Sequence, residues 1–221
     1  MAEHLKKLAH IPADNVTVEG MLELPKNPQG VVLFAHGSGS SRHSPRNNYV
    51  ANVLRNGGIG TLLMDLLTPE EDMDYRARFD IPLLTRRLLA ATHWLETQKL
   101  AQHLPVGYFG ASTGAAAALQ AAAVLGNKPS TGNKISAVVS RGGRPDMAGS
   151  DDLSRVECPT LLLVGGLDDI VIELNQQAYD HMHCIKQLVI VPGATHLFDE
   201  PGTLEQVAGL AGDWFKLHLN T

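Results

Sequence analysis

The chain has 221 residues, 44% of them hydrophobic and 19% charged, with a formal net charge of −5. Those proportions describe a globular chain long enough for one sizeable core, and they exclude collagen-like and disordered classes. Both signs of charge run along the whole length without a basic block, so nucleic acid is not an expected partner. No apolar stretch approaches the length of a membrane span, and the first fifteen residues lack the apolar run of a secretory signal, so no membrane partner is expected. The two cysteines, Cys158 and Cys184, have no metal-ligand spacing and are too few for a disulfide framework; they read as reduced thiols in a reducing, cytoplasmic setting.

In chain order, strand and helix patterns alternate. Val16 to Leu24 has the period-two pattern of a half-buried antiparallel strand. Val31 to Ala35 is a short apolar run of the kind buried on both faces of a sheet, and it ends in a His-Gly-Ser-Gly-Ser-Ser loop. Helical periodicity from Asn47 to Asn56 stops at Gly57-Gly58. Ile59 to Met64 is a further strand, ending at Asp65, whose carboxylate is expected to hold a neighbouring loop. Asp80 is placed as the N-cap of a helix running to about Gln98, with Pro82 in its first turn. The strand Val106 to Ala111 runs directly into an Ala-rich helix from Thr113 to about Leu125. After a polar turn at residues 128 to 133 come the strand Ile135 to Ser140, an Arg- and Gly-rich loop, the strand Thr160 to Val164, a helix from Glu173 to Met182, the strand Gln187 to Val191, and a closing helix from Leu204 to His218. Six buried-type strands with intervening helices imply a single α/β domain over residues 1 to 221, built on a mostly parallel sheet covered on both faces. In such sheets ligands bind beyond the carboxyl ends of the strands, so the strand-to-helix loops carry the chemistry.

The loop after the Val106 strand reads Gly110-Ala111-Ser112-Thr113-Gly114. This is a G-x-S-x-G sequence between a buried strand and a helix, where a sharp turn presents the serine hydroxyl above the sheet. A helix N-cap serine would need neither the glycines nor the strand. A serine hydroxyl needs a base, and the base needs a group to orient it. The strands that follow supply one candidate each: Asp168 after Thr160 to Val164, and His196 after Gln187 to Val191. Ser112 is therefore the expected nucleophile, His196 the general base and Asp168 its orienting carboxylate, with Asp169 as the alternative to Asp168 and His43 as a rival base. The oxyanion donors are expected from the amides of Thr113 and of Ser38 in the His36-Gly37-Ser38-Gly39 loop, with Gly39 as the alternative to Ser38. That glycine-rich loop lacks the Gly-Lys-Ser/Thr ending of a nucleotide-binding loop. Arg42 and Arg46 follow this loop, and Arg141 and Arg144 follow the Ile135 strand. Of these, Arg42, Arg141 and Arg144 are candidates for an anionic group on the substrate, against the alternative of pairing with Asp146, Asp151 or Asp152.

Ala35-His36-Gly37, the Gly110 to Gly114 elbow, the Gly-x-x-Asp ending at Asp168 and Gly193-Ala194-Thr195-His196 together resemble the α/β-hydrolase superfamily, and within it the small, lid-less dienelactone hydrolase-like group. The resemblance implies a mostly parallel sheet of about seven or eight strands with helices on both faces, no cap domain, no metal, and hydrolysis of carboxylic esters or lactones without a cofactor. A serine stands where dienelactone hydrolases carry a cysteine nucleophile, so the expected activity is that of a general carboxylesterase acting on short to medium acyl esters. Thioesterase, peptidase or amidase, and acyltransferase chemistry are the alternatives for the same three residues. The expected partner is a small-molecule ester, with homodimer formation left open.

Overall fold

Strands β3 (Val31–Ala35), β4 (Gly60–Met64), β5 (Val106–Ala111), β6 (Ile135–Arg141), β7 (Thr160–Gly165) and β8 (Lys186–Val191) form the parallel part of one eight-stranded sheet. The computed structural model describes residues 4–126 and 134–219; the expected polar turn at residues 128 to 133 lies outside them. The strand order is β1-β2-β4-β3-β5-β6-β7-β8, with β1 (Leu5–Ala13) and β2 (Val16–Leu24) joining antiparallel at one edge. The sequence reading assigned no strand to β1. Its outer-edge pattern is mostly exposed, with Ala9, Ile11 and Ala13 alone buried, so its apolar signal is weak and pairing with β2 decides its conformation.

Side chains alternate across the sheet and divide the core in two. Val31, Leu33 and Ala35 of β3 belong to the cluster under helices α3 (Ile81–Glu96) and α4 (Thr113–Gly126). Val32 and Phe34 belong to the cluster under α1 (Pro45–Asn56) and α7 (Thr203–His218), where Phe215 is fully buried. Burial of such an aromatic side chain contributes roughly 1.5–3 kcal/mol. Helix α4 shows no apolar stripe because it is buried almost all round: Ala115 to Ala118 are wholly inaccessible, and their small side chains let it lie close to the sheet and α3. Short helices α2 (Pro69–Asp72) and α5 (Ser150–Arg155), in segments whose composition suggests loop, lie in the connections, and α6 (Asp169–His181) links β7 to β8. Helix α6 starts four residues earlier than its periodicity suggests, because the β-branched run Ile170-Val171-Ile172 disguises its first turn. Among the described residues no helix is long and apolar enough to cross a membrane.

Candidate active site

The turn from β5 into α4 is built by close approach. A Cβ at Gly114 would lie 2.1 Å from the Ala35 carbonyl oxygen, and one at Gly110 would lie 2.4 Å from the Ala115 Cα. Only glycine fits where strand, helix and the end of β3 meet so tightly. Ser112, between them, is held at φ +50°, a left-handed conformation that costs a non-glycine residue about 1–3 kcal/mol and persists only where its surroundings enforce it. The enforcement is visible: the Ser112 carbonyl accepts from the Ala115 amide at 3.1 Å and from the Arg144 amide at 3.0 Å, while the Ser112 amide donates to the Arg141 carbonyl at 3.4 Å. The end of β6 and the loop after it therefore clamp the serine backbone. Thr113 is the first residue of α4, so its amide has no carbonyl to bind within the helix.

The loops after β7 and β8 meet beside this turn. Leu167 N–H donates to the Ala194 carbonyl at 2.9 Å and Gly166 N–H to the Val191 carbonyl at 2.8 Å. The His196 Nδ1 lies 2.7 Å from Asp168 Oδ2, a charge-assisted distance that fixes which ring nitrogen faces away. Asp169 instead opens α6. Ser112 and His196 share the wall of one cavity of about 230 Å³, which also includes Ser38, Arg46, Asn47 and Arg141. Ser38 and Thr113 together flank a second, smaller hollow. Ser38 lies in a tight turn closed by the Ser40 amide on the Gly37 carbonyl at 3.2 Å, with Gly39 at φ +67°; only glycine holds that dihedral without strain. His43 is exposed and lines neither hollow.

The arginines separate. Arg42 is committed elsewhere: its guanidinium pairs with Asp65 and Glu19, and its amide donates to Asp65 at 2.7 Å. Arg144 grips its near neighbour Asp146 with two bonds of 2.9 and 2.7 Å, which raise its pKa further. Both charges are paired with carboxylates, and neither residue lines the cavity that holds Ser112. Arg141 is different: 7% exposed, it lines the cavity and donates to the Asn47 side chain at 3.4 Å. Asn47 was missed as a site residue, while Arg46, named with the other arginines, lines this cavity together with Arg141. The signal was the Ser44-Pro45 pair, which caps and opens α1 and so sets residues 46 and 47 in its first turn. Among the described residues no cluster of His, Cys, Asp and Glu could hold a metal ion.

The sheet order, the strained serine at a strand-to-helix elbow, and an aspartate and histidine on the next loops define an α/β-hydrolase. No family model matches the chain. The structure superposes on the crystal structure of a dienelactone hydrolase from Anabaena variabilis with a TM-score of 0.91 at 51% identity, covering 99% of this chain and 100% of that one. The chain belongs to the dienelactone hydrolase-like group of the α/β-hydrolases. Est1E from Butyrivibrio proteoclasticus, 18% identical with a TM-score of 0.77 over 95% of this chain and 97% of its own, shares the fold. In sequence, the chain is 59% identical over 209 residues to a Mycobacterium tuberculosis protein named "Putative phosphoribosyl transferase", an alignment covering 95% of this chain and 46% of that one. The chain thus spans about half the length of the curated relatives it matches.

Proposed function

We propose that this chain is a serine hydrolase of carboxylic esters, in which Ser112, His196 and Asp168 act as nucleophile, general base and orienting carboxylate. The observation that carries the reading is the strained Ser112 sharing a cavity wall with an imidazole whose far nitrogen is tied to a carboxylate. In the first step Ser112 Oγ attacks the ester carbonyl carbon and its proton passes to His196 Nε2. The oxyanion is stabilised by the amides of Thr113 and Ser38, which act on charge present only once the carbonyl has been attacked. Collapse breaks the bond to the alcohol oxygen, which leaves with the proton from His196. Water then repeats the sequence on the acyl-enzyme: it gives a proton to His196, forms the new bond to the acyl carbon, and the serine oxygen recovers that proton. Asp168 stays ionised throughout and holds the imidazole.

Phosphoribosyl transfer, the activity in the mycobacterial name, belongs to a chain of which this one spans 46%, and no observation in the cavity favours it. The test is Ser112→Ala. It is expected to lower kcat on p-nitrophenyl esters by at least about 10⁴-fold with unchanged circular dichroism. Turnover at the parent rate, or a fluorophosphonate adduct on a residue other than Ser112, overturns the assignment. Parallel ester, thioester and amide panels decide the acyl chemistry, with esters expected to turn over fastest.

A further inference from the structure

Resting on the reading of Ser112 as nucleophile, we propose that Asn175 is a positioning residue for ester hydrolysis: two peptide groups in series carry its hydrogen bond to the Thr113 amide, the donor that meets the oxyanion. Asn175 lies on α6 and is wholly buried. Its side-chain nitrogen donates to the Gly143 carbonyl at 3.0 Å, and to the Val171 carbonyl one turn back in its own helix at 2.8 Å. Both neighbours are acceptors, so the NH2 end of the amide must face them. Its Oδ1 then has no partner among the described residues. A buried acceptor without a donor costs stability, and a leucine of similar volume would avoid that cost. The position therefore holds an amide at a loss to the core, as expected where a side chain serves the site instead.

The Gly143 carbonyl and the Arg144 amide are the two ends of one planar peptide group. Arg144 N–H donates to the Ser112 carbonyl at 3.0 Å. The Ser112 carbonyl and the Thr113 amide are in turn the two ends of the next peptide group. An unbroken line thus runs from Asn175 Nδ2 through the 143–144 peptide and the 112–113 peptide to the oxyanion. Each bond in such a chain polarises the next, so Thr113 N–H becomes a stronger donor. Neither peptide group can turn without breaking a bond. Gly143 is itself confined, since a Cβ there would collide with the Ser140 hydroxyl. The Ala115 amide, which also ends on the Ser112 carbonyl at 3.1 Å, pulls in the same sense. Asp168 stands at the N-cap of α6, and Asn175 follows it by about two turns, on the same face of the helix. One helix therefore steadies the base through Asp168 and the oxyanion donor through Asn175.

The experiment follows p-nitrophenyl butyrate hydrolysis, urea unfolding and the Thr113 amide proton by NMR, the last in the hemiketal that a trifluoromethyl ketone forms with Ser112. Parent, Asn175→Leu, Asn175→Ser and Ser112→Ala are compared. Asn175→Leu is expected to lower kcat about tenfold with KM unchanged, because the Thr113 donor acts on charge present only after attack. The Thr113 amide proton of its hemiketal should resonate upfield of the parent's, the sign of a weaker donor. Asn175→Ser can still bond the Val171 carbonyl within its helix but falls short of Gly143, and it should show the same two changes. Parental kcat in Asn175→Leu, or a fall in kcat with the Thr113 resonance unmoved, overturns the relay. Loss of urea stability without either change overturns it too and leaves Asn175 as packing. A parent inert on esters, or matched by Ser112→Ala, overturns the hydrolase reading instead. Should the Asn175 variants fail to fold, NMR couplings across the hydrogen bonds of the parent decide. They are expected from Asn175 Nδ2 to the Gly143 carbonyl carbon and from Arg144 N to the Ser112 carbonyl carbon, both growing when the hemiketal forms. Absence of either coupling, or no growth, overturns the relay.

Discussion

Asp168 occupies the N-cap of α6, where an aspartate ordinarily accepts an amide hydrogen bond from the first turn, yet it makes no such bond. Its carboxylate is turned to His196 Nδ1 instead. The residue thus forgoes roughly 0.5–2 kcal/mol of helix capping to hold a ring on a neighbouring loop, a local inconsistency expected at functional positions. This separates the two properties. Asp168→Asn keeps the shape but lets the amide favour the wrong imidazole tautomer, so kcat should fall by up to about 10⁴-fold. The melting temperature should stay within a few degrees of the parent, since no cap bond is lost. Kinetics and thermal denaturation of the same preparation check it; a variant with parental kcat would show that Asp168 does not orient the base. In the sequence Asp168 and Asp169 are adjacent candidates; the competing demand of the cap at Asp168 appears only once the start of α6 is known.

At the scale of elements, the elbow joins β5 to α4 by removing every side chain that would keep them apart. Gly114→Ala puts a methyl group on the Ala35 carbonyl oxygen, 2.1 Å from where its carbon must sit. The backbone has to shift, and we expect a loss of about 1–3 kcal/mol in urea unfolding together with a fall in kcat, because Ser112 moves with the turn. Gly209 in α7 is the control: a Cβ there meets nothing within 4 Å, so Gly209→Ala should stabilise by about 0.5–1 kcal/mol and leave kinetics alone. A Gly114→Ala protein as stable as its parent would contradict the close-packed elbow. The same contrast explains what could be read from the residues beforehand. Strands β2, β3 and β5 have the bounds their patterns announce: β3 and β5, buried on both faces, carry continuous apolar runs, and β2, buried on one face, carries a regular alternation. Strand β1, half solvated, and the short helix α5 owe their conformation to neighbours, whereas the one-turn α2 is announced only by its cap, Thr68 and Glu71 in a reciprocal capping box around Pro69. The ion pairs were legible only in part: Asp146 stood among the possible partners of the arginines and Asp65 was expected to hold a neighbouring loop, but neither reading said that Arg144 takes the one and Arg42 the other. Charge type is legible, but whether a carboxylate lies within reach depends on how the loops fold back.

Across the whole molecule, the end of β3 is tied to the segment after β4 by one side chain. His36, buried at 7% exposure, has Nδ1 2.9 Å from the Gly37 carbonyl and accepts the Leu66 amide on Nε2 at 3.0 Å. One nitrogen must donate and the other accept, so the arrangement requires a neutral ring. Burial pushes its pKa below the ordinary 6.5, against the opposing bond to the Gly37 carbonyl and the charges of Asp65 and Asp72. His218 on α7 is shifted the same way by desolvation. A histidine whose folded pKa lies below its unfolded value binds fewer protons when folded, so stability rises with pH between the two values. The contribution is complete above pH 6.5 and is lost as pH falls from there toward the folded pKa, at up to about 1.4 kcal/mol per pH unit for His36. Glu200, whose pKa is lowered by its bond from Thr195, acts in the same sense at more acid pH. Urea unfolding should therefore show a clear loss of stability between pH 7.5 and 5.5. In His36→Asn, whatever its starting stability, that loss should be smaller, because the replacement side chain does not titrate. Since the Leu66 amide ends on the ring that also holds the Gly37 carbonyl, protonation would loosen the turn carrying Ser38. Ester turnover should then fall with stability in the parent and fall less in the variant. An equal loss of stability in both proteins over this range would assign the acid sensitivity to other groups and leave His36 as packing alone.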